Sequence, residues 1–231
     1  METTRGKLQQ VRGRIAAACQ QADRPVQSVT LLAVSKTFGP DRVREAIDAG
    51  QMAFGENYVQ EALAKIDTLR HERARLQWHL IGPLQSNKTR PVAEQFDWVH
   101  SVDRLKTAER LAAQRPAGLP PLQVCLQVNI SAEPSKSGLA PGEVETVAHA
   151  VARLDPARLR LRGLMSIPEP VDDLASQRAP HRALRALFDR LRADGLDLDT
   201  LSMGMSHDLE AAILEGATIV RVGSAIFGAR G

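Results

Sequence analysis

Apolar positions along this chain fall into two alternating patterns. Short runs of branched residues are bounded by glycine, proline or polar clusters. Stretches with helical spacing lie between them. The first run, residues 29–36, reads Val-Thr-Leu-Leu-Ala-Val-Ser-Lys and is followed by Thr-Phe-Gly-Pro. A run of this kind reads as a strand buried on both faces. Similar runs occupy 52–55, 77–82, 97–101, 122–129, 159–165, 200–205 and 218–222. Helices are predicted from Pro40 to a stop at Gly50, from Tyr58, from Ser86, from Asp103, from Pro141, over about 179–194, and from Ser206. A further helix is predicted over about 2–23, where Leu8, Val11, Ile15 and Ala18 form one stripe.

Eight strand signals alternating with helices predict an α/β fold, a single (β/α)8 TIM barrel of one domain spanning 1–231. An open doubly wound sheet is the alternative. In a barrel, the irregular loops 131–138 and 168–173 lie on the face where barrels keep their sites.

Composition narrows the function classes. Hydrophobic residues are 43% and charged residues 25%, an ordinary globular balance. No apolar stretch reaches membrane-spanning length, and the N-terminus lacks the apolar centre of a secretory signal. The net charge is +3 without a basic tract, and aromatics are only 3%, so no nucleic-acid partner is expected. Cys19 and Cys125 lack metal or redox spacing and suit a reducing cytoplasm. Glu56, Glu61 and Asp208 show no metal-ligand spacing, so no metal is expected. Arginine dominates the positive charge, with lysine only at positions 7, 36, 65, 88, 106 and 136. The low aromatic content makes a monomer the expectation.

The candidate chemistry begins at Lys36. It sits where the first strand leaves the core, so its amine is placed either for imine chemistry with an aldehyde or for snorkelling into water. The last two strands run into Ser202-Met203-Gly204-Met205-Ser206-His207-Asp208 and Arg221-Val222-Gly223-Ser224. Small residues and hydroxyls at strand-to-helix junctions suit a phosphate, and barrels often bind one there; an N-cap and a tight turn are the structural alternatives. A closed barrel puts strand one beside strand eight. An aldehyde-bearing phosphate ester then fits, such as pyridoxal 5′-phosphate, with its aldehyde on Lys36 and its phosphate on Ser206, Gly223 and Ser224. Arg221 lies two residues before Gly223 on the same side of the strand and faces either the pyridine nitrogen or a neighbouring carboxylate. An arginine there disfavours protonation of the ring and weakens it as an electron sink.

Longer strings carry a resemblance. They include Leu32-Ala33-Val34-Ser35-Lys36, Phe54-Gly55-Glu56-Asn57-Tyr58-Val59-Gln60-Glu61, Trp78-His79-Leu80-Ile81-Gly82-Pro83-Leu84-Gln85-Ser86-Asn87-Lys88, and Leu201-Ser202-Met203-Gly204-Met205-Ser206-His207-Asp208. With Arg221-Val222-Gly223-Ser224 they run in order along the whole chain. On these strings the chain resembles the pyridoxal phosphate homeostasis protein family of YggS/PROSC type. The resemblance implies a barrel similar to the N-terminal domain of alanine racemase. It implies that Lys36 holds the cofactor as a Schiff base, that Ser206, Gly223 and Ser224 hold phosphate, that Arg221 faces the ring nitrogen and that Asn57 lines the cofactor. It further implies a role in buffering or delivering the cofactor, with dependent apoenzymes as recipients, and no catalytic turnover.

An amino-acid racemase or lyase is the enzymatic alternative, and a cofactor-free partner-binding barrel is the third. A racemase needs a base on each face of the substrate carbon. Lys36 supplies one, and the only tyrosine is Tyr58. Of the histidines near strand ends, His79 and His100 suit internal hydrogen bonds, His181 falls on a helix, and His207 suits an anion contact. Lys88 and Lys136 are candidates for taking the aldehyde transiently during transfer.

Overall fold

The computed structural model describes residues 3–131 and 137–228. Lys136 lies outside the described residues. Eight parallel strands form a closed barrel in sequence order, β1 (Thr30–Val34), β2 (Ala53–Glu56), β3 (Gln77–Leu80), β4 (Trp98–Val102), β5 (Leu122–Gln127), β6 (Leu159–Met165), β7 (Thr200–Ser202) and β8 (Ile219–Val222). β8 returns to β1, pairing Leu32 with Arg221 and Ala33 with Val222. The open-sheet alternative is excluded by this closure.

Alternation along each strand divides the apolar residues between two layers. Leu32, Val34, Ala53, Ile81 and Ile219 form a small separate cluster. Ala33, Phe54, Trp78 and Leu80 belong to the larger core that the helices cover. That outer layer comprises α1 (Thr4–Gln21), α2 (Pro40–Asp48), α3 (Val59–Thr68), α4 (Thr89–Gln95), α5 (Leu105–Gln114), α6 (Val144–Ala152), α7 (Leu174–Ala193), α8 (Leu209–Leu214) and the single turn α9 (Ser224–Phe227).

α1 has no preceding strand. Thr3 caps it by accepting from Gly6 N at 3.2 Å, and its buried stripe includes Leu8, Val11, Ile15 and Ala18. It packs on α2, α8 and α9 and so covers the seam where β8 meets β1. A one-turn α9 cannot shield that seam alone. Arg14 grips Glu210 of α8 through two bonds of 2.6 and 2.8 Å, and Thr4 donates to Glu45 of α2 at 2.6 Å.

Several boundaries differ from the sequence pattern, each for a local reason. α7 begins at Leu174 rather than near residue 179, because Asp173 caps it through Ser176 N at 2.9 Å. The region after Ser86 is a 3₁₀ turn, Ser86–Lys88, before α4. β7 is short, and the helix after it starts at Leu209 rather than Ser206. Ser206 is therefore not a helix cap.

The β5–β6 pairing skips a residue. Val124 faces Leu161 and Cys125 faces Gly163, leaving Arg162 as the extra position. Arg162 lies over the Trp98 ring at 5.0 Å and bonds Asp199 at 2.9 Å. A Cβ on Gly163 would stand 1.8 Å from the carbonyl oxygen of Thr200 in β7. Gly163→Ala is expected to lower stability by about 2 kcal/mol or more, since the neighbouring backbone must move. Urea unfolding measures this, and a loss under about 0.5 kcal/mol would mean that the close β6–β7 approach is not required.

Candidate functional site

The C-terminal ends of β1, β2, β3, β6, β7 and β8 surround a cavity of about 340 Å³. Lys36, Asn57, Ser206, Arg221, Gly223 and Ser224 all line it. Val34, Phe38, Ile81, Ile167 and Met205 supply apolar wall. Among the described residues, no carboxylate lines this cavity. An amine, a guanidinium and two hydroxyls face a partly apolar space, which suits a flat ring bearing an anionic group. A larger cleft of about 430 Å³ lies at the strand N-termini beside Thr30, Ala53 and Gln77, the face that barrels use for stability.

Each polar group is placed by its strand. Lys36 follows the end of β1 and is half-buried. Asn57 follows β2. Its backbone lies so close to Gly82 that a Cβ there would meet Asn57 O at 2.2 Å, so only glycine fits. Ser101 Oγ holds Gly82 from the other side, donating to its carbonyl at 2.6 Å. Asn57 Oδ1 is buried without a hydrogen-bond partner among the described residues. Ser224 Oγ and Ser206 Oγ lie 3.3 Å apart, which brings the two final junctions together.

The loop carrying Ser206 is fixed from behind. Asp208 Oδ1 accepts from Met205 N at 2.7 Å, and Asp208 Oδ2 lies 3.0 Å from Nε2 of buried His181 on α7. Burial pushes the Asp208 carboxyl up, but the bonds from His181 and Met205 outweigh it and hold it below the usual range. His207, next in the chain, is exposed and lines the cavity.

Arg221 is buried inside the barrel. Its Nη1 donates to Ser202 O at 2.6 Å and Ser202 Oγ at 2.8 Å, and its Nη2 donates to Ser166 O at 2.8 Å. These partners are serine oxygens rather than the carboxylate considered from sequence. Burial lowers Arg221 to about 10, so it remains a cation at neutral pH. Ser202 Oγ also lies 2.7 Å from His100 Nδ1, and His100 Nε2 lies 2.9 Å from His79 Nδ1. Arginine can only donate, so Ser202 Oγ accepts from Arg221, and the tautomers of the two imidazoles set the direction of the Ser202–His100–His79 contacts. Burial drives His79 down to about 3 and holds His100 well below 6.5, with repulsion from His79 and Arg221 adding to the second. Both imidazoles are neutral.

Of the secondary lysines, Lys88 ends a 3₁₀ turn and does not line the cavity. Tyr58 is exposed and does not line it either.

Residues 7–231 match the family model described as alanine racemase, N-terminal domain. The pyridoxal phosphate homeostasis protein of Pseudomonas aeruginosa is 59% identical over 230 residues, covering 100% of this chain and 97% of that protein. The protein of the same name from Escherichia coli K12 is 53% identical over 227 residues, covering 96% and 95%. The chain belongs to the pyridoxal phosphate homeostasis protein family. PipY of Synechococcus elongatus, solved with PLP bound, superposes with a TM-score of 0.80 at 38% identity, covering 94% of this chain and 100% of PipY.

Strand order brings Lys36, Ser206, Arg221, Gly223 and Ser224 together, and the family resemblance adds Asn57. Most of the residues that support them are not marked in the sequence. Ser166 and Ser202 carry no motif of their own, and His181 reads as one position on a helix. Lys65 has a legible signal. It is a scarce lysine on the buried stripe of α3, between Ala62 and Ile66.

The neutral histidines give stability a definite pH dependence. Their unfolded forms bind protons below about 6.5 while the folded ones do not, so stability is complete above that pH and falls toward about 3 for His79. Each contributes up to about 1.4 kcal/mol per pH unit in that window. His79→Leu is expected to flatten the decline between pH 6.5 and 5, read by denaturant unfolding. An unchanged slope would show that His79 is protonated in the folded chain.

Proposed function

We propose that this chain binds pyridoxal 5′-phosphate in the cavity at the C-terminal end of its barrel and serves in cofactor homeostasis as a carrier, holding the cofactor reversibly and yielding it to dependent apoenzymes. The observation that carries the reading is the polar set of that cavity: one amine, one guanidinium and two adjacent hydroxyls, beside the Asn57 amide and the His207 imidazole, with no carboxylate among the described lining residues. The names of the relatives and the PLP bound in PipY support the same ligand.

The residues fit the group. Asn57 lines the cavity and its Oδ1 has no hydrogen-bond partner among the described residues, so a ligand hydroxyl would satisfy it. The cofactor supplies an aldehyde, which condenses with a primary amine to form a C=N bond and release water. Lys36 supplies the amine. Ser206, Ser224 and the Gly223 backbone provide donors for the phosphate. Val34, Ile81 and Met205 exclude water around the ring.

Arg221 bears on turnover. It remains charged, its carbonyl and hydroxyl partners fix its orientation, and it offers no acceptor that would hold a proton on a pyridine nitrogen. Tyr58 is exposed outside the cavity, so it does not supply an opposing base there. These features favour holding over catalysis. The same reading takes the chain as a monomer of the reducing cytoplasm, in keeping with its two buried free cysteines.

Titration with pyridoxal 5′-phosphate is expected to produce a visible absorption band that Lys36→Ala abolishes. Pyridoxal without the phosphate is expected to bind at least about tenfold more weakly. Ser206→Ala with Ser224→Ala should remove most of that preference, at about 1.5–3 kcal/mol for each hydrogen bond to a charged group. Equal affinity for the two ligands would contradict the phosphate assignment, and no spectral change at all would favour the cofactor-free barrel. Incubation of the loaded protein with L-amino acids in deuterium oxide is expected to give no Cα exchange above that of free cofactor. Exchange at enzyme-like rates would replace the carrier reading with a racemase or lyase.

A further inference from the structure

We propose that Lys65, held between Glu56 and Glu61, is a positioning residue that fixes the backbone from which Lys36 presents its amine. The inference rests on the reading of Lys36 as the aldehyde-binding group.

Lys65 lies on α3 and is buried. Its Nζ makes three bonds, to Ser35 O at 2.7 Å, Glu56 Oε1 at 2.8 Å and Glu61 Oε1 at 2.6 Å. An ammonium has three N–H donors, so its capacity is filled. The same two carboxylate oxygens each take a second bond. Ser35 Oγ donates to Glu56 Oε1 at 2.6 Å, and Thr37 N donates to Glu61 Oε1 at 2.7 Å. The residues on either side of Lys36 are thus tied to one ammonium, Ser35 directly through its carbonyl and Thr37 through Glu61.

The geometry needs such a tie. β1 ends at Val34, so Lys36 lies beyond the strand proper. Thr37 has φ of +69°, the left-handed region that a β-branched residue rarely adopts. A strained residue persists where its surroundings over-determine it, and the Thr37 N bond to Glu61 is one such restraint. None of Lys65, Glu56 and Glu61 lines the cavity, so the assembly acts from the other side of the backbone.

A buried ion pair is a poor choice for stability alone, because apolar side chains of similar volume often serve as well. It is a good choice for geometry, because three short bonds from one atom fix three groups together. Bond formation between an amine and a carbonyl carbon is sensitive to such placement. The assembly therefore bears on the covalent part of binding and leaves the phosphate and ring contacts alone.

That separation supplies the test. Equilibrium affinities are measured for pyridoxal 5′-phosphate and for pyridoxine 5′-phosphate, which carries an alcohol in place of the aldehyde. The proteins compared are the wild type, Lys65→Met and Glu61→Leu. The wild type is expected to prefer the aldehyde. Lys65→Met is expected to reduce that preference about tenfold or more, with alcohol affinity held within about twofold. Glu61→Leu is expected to reduce it by a smaller factor. A generally loosened structure would weaken both ligands alike, and that result, or an unchanged preference, overturns the proposal. If Lys65→Met does not fold, Glu61→Leu decides, since the Glu61 side chain is 30% exposed and tolerates replacement better. A wild type with no aldehyde preference overturns the reading of Lys36 on which the inference rests.

Discussion

The pairing of β8 with β1 is the constraint on which the site depends. It sets Leu32 opposite Arg221 and Ala33 opposite Val222. Lys36, four residues beyond Leu32, then shares a cavity with Gly223 and Ser224, although nearly the whole chain separates them. Closure removes the exposed edges that an open parallel sheet would leave. α1 protects the join by packing over it on α2, α8 and α9. The site thus inherits its geometry from the same contacts that complete the barrel.

Two buried polar assemblies flank this seam, one on each side of the barrel wall. Inside, Arg221 leads into Ser202, His100 and His79. Outside, Lys65 gathers Ser35, Glu56 and Glu61. Charges in such places carry a desolvation cost, which burial expresses by lowering Arg221 and raising Glu56. Directional bonding offsets that cost and fixes orientation in return. The two groups given the closest positional control, Lys36 and Arg221, are those to which the proposed function assigns an aldehyde and a pyridine ring.

Much of the fold was legible in the chain because parallel strands buried on both faces leave continuous apolar runs, and 159–165 is strand throughout. The starts of the helices were less legible. Asp173 caps α7 at a position where polar residues and prolines mask the helical period. Ser206 resembles a cap, yet Asp208 folds its loop back through Met205 N and delays α8 to Leu209. For the cavity, Lys36 and the two serine-bearing junctions stand out because strand order predicts their proximity. The support behind them does not, since Lys65 meets Ser35 only through the docking of α3 on the barrel. Likewise, the partners of Arg221 come from β7 and from the residue after β6, a convergence that no local spacing encodes.

In the proposed function Lys36, on a backbone fixed beside the last strand, holds an aldehyde whose phosphate rests on the final two junctions. Borohydride reduction of the loaded protein, followed by peptide mapping by mass spectrometry, tests it most directly. One phosphopyridoxyl group per chain is expected, on the peptide containing Lys36. A label spread over several lysines, or placed mainly on Lys88 or Lys136, would contradict it.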